Sequence, residues 1–301
     1  MPLEPIGPMM RRAARGGYAV GYFESWNLES LQGVIDAAEE TRSPVVIGFN
    51  GDFLSRPDRR AAERLAWYAA LGKAAAESAS VPCGFIFNEC PLDDWVRAAI
   101  GLGFNLVMPA DPSASPDEAA RRVAALVREA HAAGVAVEAE LGELPCGASG
   151  GAPTGGEPTD PDAAASFVEA TGVDLLAVSV GNVHIRVDGD QGLDLDRLKA
   201  IHRRVAVPLV LHGGTGIDAE ALRGAVAAGV TKVNFGTYLK QRYLAAVRAA
   251  VDREYVDPHR LLGTGGADDV LVAGRLAVRD AVLERIDWLG CRGRADDRGG
   301  D

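Results

Sequence analysis

Residues 208–237 read PLVLHGGTGIDAEALRGAVAAGVTKVNFGT and contain a complete strand–helix–strand repeat. Both ends are short apolar runs, which are typical of strands buried on two faces. Between them, Asp218 is a typical helix start, Gly229 is a typical helix stop, and the intervening residues have helical apolar spacing. Because two parallel strands need a crossover helix between them, the stretch predicts one unit of a parallel sheet.

The same alternation continues along the chain. Eight apolar runs are separated by amphipathic segments, and these runs are 18–23, 44–50, 82–88, 105–110, 136–141, 175–180, 208–213 and 232–237. Eight such units favour an α/β fold with a single (β/α)8 TIM barrel over a doubly wound open sheet. We expect the barrel to span residues 1–290 and the charged residues 291–301 to be disordered. The Gly- and Pro-rich stretch 142–159 predicts a mobile loop.

Composition narrows the class of partner. The net charge is −11 over 301 residues, which argues against nucleic acid and anionic membranes and favours a small-molecule substrate. No apolar run reaches the roughly 18 residues of a membrane span, and the N-terminus lacks a signal-peptide centre. We therefore expect a soluble, cytoplasmic protein. The four cysteines show no CxxC spacing, so neither a disulfide framework nor a zinc ribbon is predicted.

Polar side chains close most of the predicted strands, at the end where barrels of this type carry their active sites. They are Glu24, Asn50, Asn88, Glu89, Glu138, Glu140, His184, His212, Asn234 and Thr237. One histidine at a strand end is more often structural, but Glu89, His184 and His212 together favour a metal site. This set suits Zn²⁺, with Fe²⁺, Mn²⁺ or Co²⁺ as alternatives.

Two glycine-containing loops follow the last two predicted strands, where barrels commonly bind phosphate through backbone N–H groups. The residues concerned are Gly213, Gly214, Thr215 and Gly216 in the first loop and Asn234, Gly236 and Thr237 in the second. A single loop of this kind would be interpreted as a tight turn. Two loops on adjacent strands favour a site for a phosphorylated substrate.

Several segments together resemble the class II, metal-dependent ketose-bisphosphate aldolases over almost the whole chain. They are NLESLQGVIDAAEETRSPVVI, AHAAGVAVEAELGEL, TDPDAAASFVEATGVDLLAVSVGNVH, LDLDRLKAIHRRVAVPLVLHGGTGI and GVTKVNFGT. The resemblance implies a TIM barrel, a divalent metal held partly by His184 and His212, and carbon–carbon lyase activity on a phosphorylated ketose. It also implies a homodimer or homotetramer.

The chain departs from the family pattern at strand ends. Asn88 stands where the family has its catalytic Asp, Glu89 where it has a third zinc histidine, Glu24 where Asn is usual, and Asn50 where Ser is usual. Asn88 can position a hydroxyl but cannot accept its proton. Glu24 and Glu140 are therefore candidate catalytic bases, and we expect Asn50 to contact substrate.

The carboxylates of the fifth predicted strand raise a separate expectation. Glu138 and Glu140 alternate with apolar residues, so both should point into the barrel, where paired carboxylates need a cation or a proton. Glu143 and Glu157, in the following Gly- and Pro-rich loop, are further candidate bases or plain solvated charges.

Three functions stay open at this point. The first is a metal-dependent lyase acting on a phosphorylated ketose, or on an aldol derived from dihydroxyacetone phosphate, with altered substrate or mechanism. The second is an isomerase or epimerase that forms an enediolate without cleaving a carbon–carbon bond. The third is a catalytically silent protein that keeps the phosphate loops.

Overall fold

The computed structural model describes residues 3–111, 114–142, 157–182, 192–252 and 257–297. Eight parallel strands form a closed barrel in chain order, with β8 pairing with β1. The strands are β1 (Val20–Glu24), β2 (Val45–Asn50), β3 (Cys83–Cys90), β4 (Leu106–Pro109), β5 (Ala136–Leu141), β6 (Leu175–Val178), β7 (Leu209–Leu211) and β8 (Val230–Phe235). The predicted (β/α)8 TIM barrel is confirmed, and the open sheet is excluded.

Besides the short 3₁₀ helix Arg294–Asp296, the described residues form twelve α-helices. They are α1 (Ile6–Gly16), α2 (Leu28–Thr41), α3 (Gly51–Ser55), α4 (Leu65–Ser78), α5 (Asp93–Leu102), α6 (Pro116–Ala132), α7 (Pro161–Thr171), α8 (Leu195–Arg204), α9 (Ala219–Ala227), α10 (Thr237–Val251), α11 (Pro258–Leu261) and α12 (Val270–Leu289). Asp218 begins α9 as predicted, because its carboxylate accepts a 2.7 Å hydrogen bond from the Ala221 N–H. No described helix is long and apolar enough to cross a membrane.

The strands are buried on both faces, as their apolar composition predicts. Outward side chains such as Phe23 and Phe235 stack on each other beneath the helices, with ring centroids 5.4 Å apart. Toward the carboxyl ends of the strands the interior becomes polar, and the buried side chains there include Glu24, Asn88 and His212. The fold therefore gathers polar groups at one mouth of the barrel.

The end of the chain differs from the predicted disordered tail. Cys291 and Ala295 are buried, and the backbone N–H groups of Gly293 and Ala295 donate to the carbonyls of Thr41 and Arg42. Residues 291–297 are thus fixed against the end of α2, because burying two small apolar side chains and pairing the backbone outweighs their charged composition. Residues 298–301 lie outside the described residues, as do residues 143–156 of the predicted mobile loop.

Candidate active site

His212, which directly follows β7, lies at the centre of the barrel mouth and is almost fully buried. Its two ring nitrogens face different carboxylates. Nε2 is 2.9 Å from Oε1 of Glu138, whereas Nδ1 is 2.6 Å from Oε2 of Glu140 and 3.5 Å from Oε1 of Glu89. Strands β3 and β5 therefore bring three carboxylates around the imidazole that follows β7.

Glu138 forms a second contact deeper in the barrel, with the ammonium group of Lys232 on β8. Nζ lies 2.8 Å and 3.1 Å from the two carboxylate oxygens, and both side chains are fully buried. The sequence left open whether Glu138 has a cation or a proton as its partner, and the structure places a cation there, which was not predicted. A lysine inside an apolar strand pattern was the available signal, since lysine is almost never fully buried unless it is paired.

The charges around His212 act on its pKa in opposite directions. Burial alone would lower the pKa, but the carboxylates of Glu140 and Glu138 outweigh it and raise the pKa of His212 to about 10. Burial likewise tends to raise the pKa of Glu138, yet Lys232 and His212 bring it below its usual value. Glu138 is thus an anion that holds Nε2–H and leaves Nδ1 facing the other two carboxylates.

Glu89 reaches this cluster through an unusual backbone conformation. Its φ of 53° is left-handed, and the pairing of β3 with β4 is irregular between Phe87 and Cys90. A non-glycine residue in this region costs about 1–2 kcal/mol, and such strain concentrates at functional sites. Asn50 donates a 2.8 Å hydrogen bond to Oε2 of Glu89 and accepts one from the Phe53 N–H, so Asn50 positions Glu89 as well as starting α3.

Two buried amides at the mouth have unused hydrogen-bonding atoms. Within the described part of the chain, Oδ1 of Asn88 and Nδ2 of Asn234 have no partner. The other end of the Asn234 amide is fixed, since its Oδ1 accepts a 2.7 Å hydrogen bond from Lys232. A buried polar atom without a partner costs about 1–3 kcal/mol, so this acceptor and this donor are suited to a polar ligand.

The two predicted phosphate loops lie side by side. Gly213 and Gly216 have φ of 65° and 93°, which explains the need for glycine. The Gly214 N–H donates to the carbonyl of Asn234, and the Tyr238 N–H, in the first turn of α10, donates to Oγ1 of Thr215. Gly214 therefore joins the loops, and its N–H is already used within the protein.

Glu24, at the end of β1, is buried and forms an ion pair with Lys240 of α10, with Oε1 and Nζ 2.5 Å apart. Burial raises the pKa of Glu24, Lys240 opposes this rise, and Glu89 adds to it. Lys240 was not among the predicted site residues. Glu157 is exposed, as the interpretation of a solvated loop charge predicts, whereas Glu143 lies outside the described residues.

Comparison with known proteins identifies the family. A family model described as class II fructose-bisphosphate aldolase matches residues 5–294. The chain belongs to this family. It is 33% identical to the fructose-bisphosphate aldolase of Geobacillus stearothermophilus over 300 residues, covering 98% of this chain and 99% of the relative.

A relative of known structure is the YdjI aldolase of Escherichia coli K12. The sequences are 33% identical over 286 residues, covering 93% of this chain and 94% of YdjI. The crystal structure of YdjI superimposes with a TM-score of 0.82 at 32% identity, covering 98% of this chain and all of that chain. This class II aldolase-family chain is accordingly an enzyme, an aldolase-type lyase.

Because the family is metal-dependent, the cluster around His212 is the place to look for metal ligands. Among residues 3–111, 114–142, 157–182, 192–252 and 257–297, no three His, Cys, Asp or Glu side chains are arranged to hold a metal ion. His184, the third predicted ligand in this aldolase-family chain, lies outside those residues. The donors that are described, an imidazole nitrogen of His212 beside carboxylate oxygens, fit a divalent ion such as zinc chemically.

Proposed function

We propose that this protein is a metal-dependent aldolase whose substrate is a phosphorylated ketose, or an aldol derived from dihydroxyacetone phosphate, other than the usual family substrate. The observation that carries the proposal is the contact of His212 with Glu138 on one nitrogen and with Glu89 and Glu140 on the other. A carboxylate behind a metal-binding histidine fixes the ring and raises its basicity. Glu89, on the Nδ1 side of the ring, stands where the family pattern has its third zinc histidine.

In this proposal Glu89, His184 and His212 hold the metal, Zn²⁺ being the first choice and Fe²⁺, Mn²⁺ and Co²⁺ alternatives. When bound, the ion supplies Lewis-acid polarisation of the carbonyl and hydroxyl oxygens of the substrate. Its binding would displace the proton from Nδ1 of His212, so affinity should rise with pH. Glu138 stays on Nε2 and keeps the ring oriented.

Proton transfer needs a group other than Asn88. Its amide can accept a hydrogen bond from a substrate hydroxyl through the unused Oδ1, but it cannot accept the proton. Glu24 is held by the Lys240 ammonium group. Glu140, part-exposed and in contact with Nδ1 of His212, is therefore the favoured base of the two predicted ones.

Solvent hydrogen exchange and bond formation test this function together. The protein is incubated with dihydroxyacetone phosphate in D₂O, first alone and then with a panel of aldehydes. We expect both exchange at the carbon next to the carbonyl and a condensation product, lost with a chelator and restored by Zn²⁺. Exchange without any condensation product would favour the isomerase, which the amide at position 88 makes the second candidate. If neither exchange nor condensation were observed, the silent binding protein would be favoured.

The phosphate site gives a prediction of its own. Replacing Asn234 by Leu removes the unpartnered Nδ2 donor, together with the Oδ1 that accepts from Lys232, and we expect affinity for dihydroxyacetone phosphate to fall about tenfold or more. Thr237→Val, which keeps shape at the start of α10, should have a smaller effect. Calorimetric titration measures both, and metal content should match the parent. Loss of metal in either variant would contradict a role confined to phosphate.

We also propose a homodimer or homotetramer, which the family resemblance supports. One face of α12 packs on its own barrel, since Val278, Val282 and Ile286 are buried, whereas Leu276 on α12 and Leu244 on α10 are exposed. Light scattering at micromolar concentration should give at least twice the mass of the 31.5 kDa chain. A monomeric mass throughout would contradict the proposal.

A further inference from the structure

The ion pair between Glu24 and Lys240 lies on the side of the mouth formed by β1 and β2. The Glu24 side chain is 10% exposed and that of Lys240 is 31% exposed. The Lys240 ammonium also lies 4.2 Å from the ring centroid of Phe53 and 5.7 Å from that of Trp26. A carboxylate and two aromatic rings thus surround a cation that a ligand in the mouth can still reach.

This pair is connected to the rest of the candidate site on two sides. Asn50 links Phe53 to Glu89, because it accepts from the Phe53 backbone and donates to the Glu89 carboxylate. On the other side, a Cβ atom placed on Gly236 would lie 2.2 Å from Oε2 of Glu24. The carboxylate therefore lies directly against the loop after β8, the second of the two proposed phosphate loops.

Several basic groups at this side of the mouth already have acidic partners. The Glu24 carboxylate neutralises the Lys240 ammonium. Arg56 and Arg59, which follow Phe53, form ion pairs with Asp58 and Glu63, respectively. A ketose bisphosphate carries a phosphate at each end. If one phosphate lies in the loop after β7, away from Glu24, a second phosphate approaching Lys240 would also approach an anion, which costs free energy.

We propose that Glu24 determines specificity by neutralising Lys240, and that it restricts the site to substrates with one phosphate. The part of the substrate over β1 and β2 is then an uncharged, polyhydroxylated chain. Its hydroxyls donate to the Glu24 carboxylate, and its carbon-bound hydrogens contact the half-exposed Phe53 ring. This inference rests on the proposed function, because it names the class of substrate that the same site accepts.

Equilibrium binding tests the inference without relying on turnover, which matters because Glu24 is also a candidate base. The probes are a hexitol 1-phosphate and the corresponding hexitol 1,6-bisphosphate, neither of which can be cleaved. Both are titrated by calorimetry into the zinc-loaded parent, Glu24→Gln, and the double variant Glu24→Gln with Lys240→Met. Asp196→Asn, whose side chain is 97% exposed on α8, controls for the change in net charge.

We expect the parent to bind the monophosphate at least as tightly as the bisphosphate. Glu24→Gln should shift the ratio of the two affinities at least tenfold toward the bisphosphate, and the double variant should lose that shift because no ammonium remains. Asp196→Asn should keep the parent's ratio. An unchanged ratio in Glu24→Gln, or a parent that already prefers the bisphosphate tenfold, would overturn the inference and leave the proposed function standing. A parent that binds neither probe would overturn both.

Discussion

Glu89→Gln is expected to lower zinc affinity about 100-fold or more while the barrel stays folded. Loss of a partner behind a metal ligand typically costs roughly 10–100-fold in affinity, and loss of a direct ligand should exceed that. The carboxylate lies 3.5 Å from Nδ1 of His212, so Gln keeps the shape and removes the charge that offsets the cation. Competition with a chromophoric chelator measures the affinity, and circular dichroism checks the fold.

Matched variants distinguish direct binding of zinc by Glu89 from the positioning of Glu89 by Asn50. Glu89→His supplies the ligand that the family pattern has at this position, so it should retain zinc. Asn50→Ala removes the 2.8 Å hydrogen bond to Oε2 and should cost only the smaller, roughly 10–100-fold loss of a positioning partner. If Glu89→Gln bound zinc like the parent and lost only turnover, Glu89 would be the base and the ligand assignment would be wrong.

The barrel could be predicted from the sequence because its signals are local. The apolar runs around α9, with Asp218 at the helix start and Gly229 after its end, already specify strand, helix and strand. Repetition of such a unit eight times leaves few alternatives to closure. Boundaries were less predictable: β3 extends to Cys90, past the predicted end, through the irregular pairing next to Glu89.

The site was only partly predictable, because its contacts join residues far apart in the chain. Strand alternation placed Glu138 inside the barrel, but its pairing with Lys232, 94 positions later, depends on how the barrel closes. The left-handed φ of Glu89 has no local signal, since glycine is the usual residue in that conformation. Lys240 lies on a helix surface by its spacing, and only the position of α10 above β1 brings it to Glu24.

The chain end shows how composition can mislead. Residues 291–297 carry several charges, which favoured disorder, yet the ordering signal is the small buried pair Cys291 and Ala295. The backbone hydrogen bonds from Gly293 and Ala295 to the carbonyls of Thr41 and Arg42 involve the end of a helix whose last carbonyls need partners. A short segment that fills such a need can be fixed despite a polar composition.

Lys232→Met is expected to reduce the free energy of unfolding by about 3–5 kcal/mol, the usual cost of removing one partner of a buried ion pair. Glu138 is fully buried, and without the ammonium it keeps His212 as a compensating charge. Asn234 would also lose the donor to its Oδ1. Urea denaturation of the metal-free protein, followed by circular dichroism, measures the change. A loss below about 1 kcal/mol would mean that water or rearrangement compensates the carboxylate.

The double variant Lys232→Met with Glu138→Leu then distinguishes the pair's role in stability from its role at His212. Removing both charges leaves no uncompensated ion, so most of the lost unfolding free energy should return. The same change removes the acceptor 2.9 Å from Nε2 of His212, which orients the ring. Zinc affinity should therefore fall about 10–100-fold in the double variant and less in Lys232→Met alone. If stability and zinc affinity fell together in both variants, the two roles of the ion pair would not be separate. The two charges would then act only through the fold.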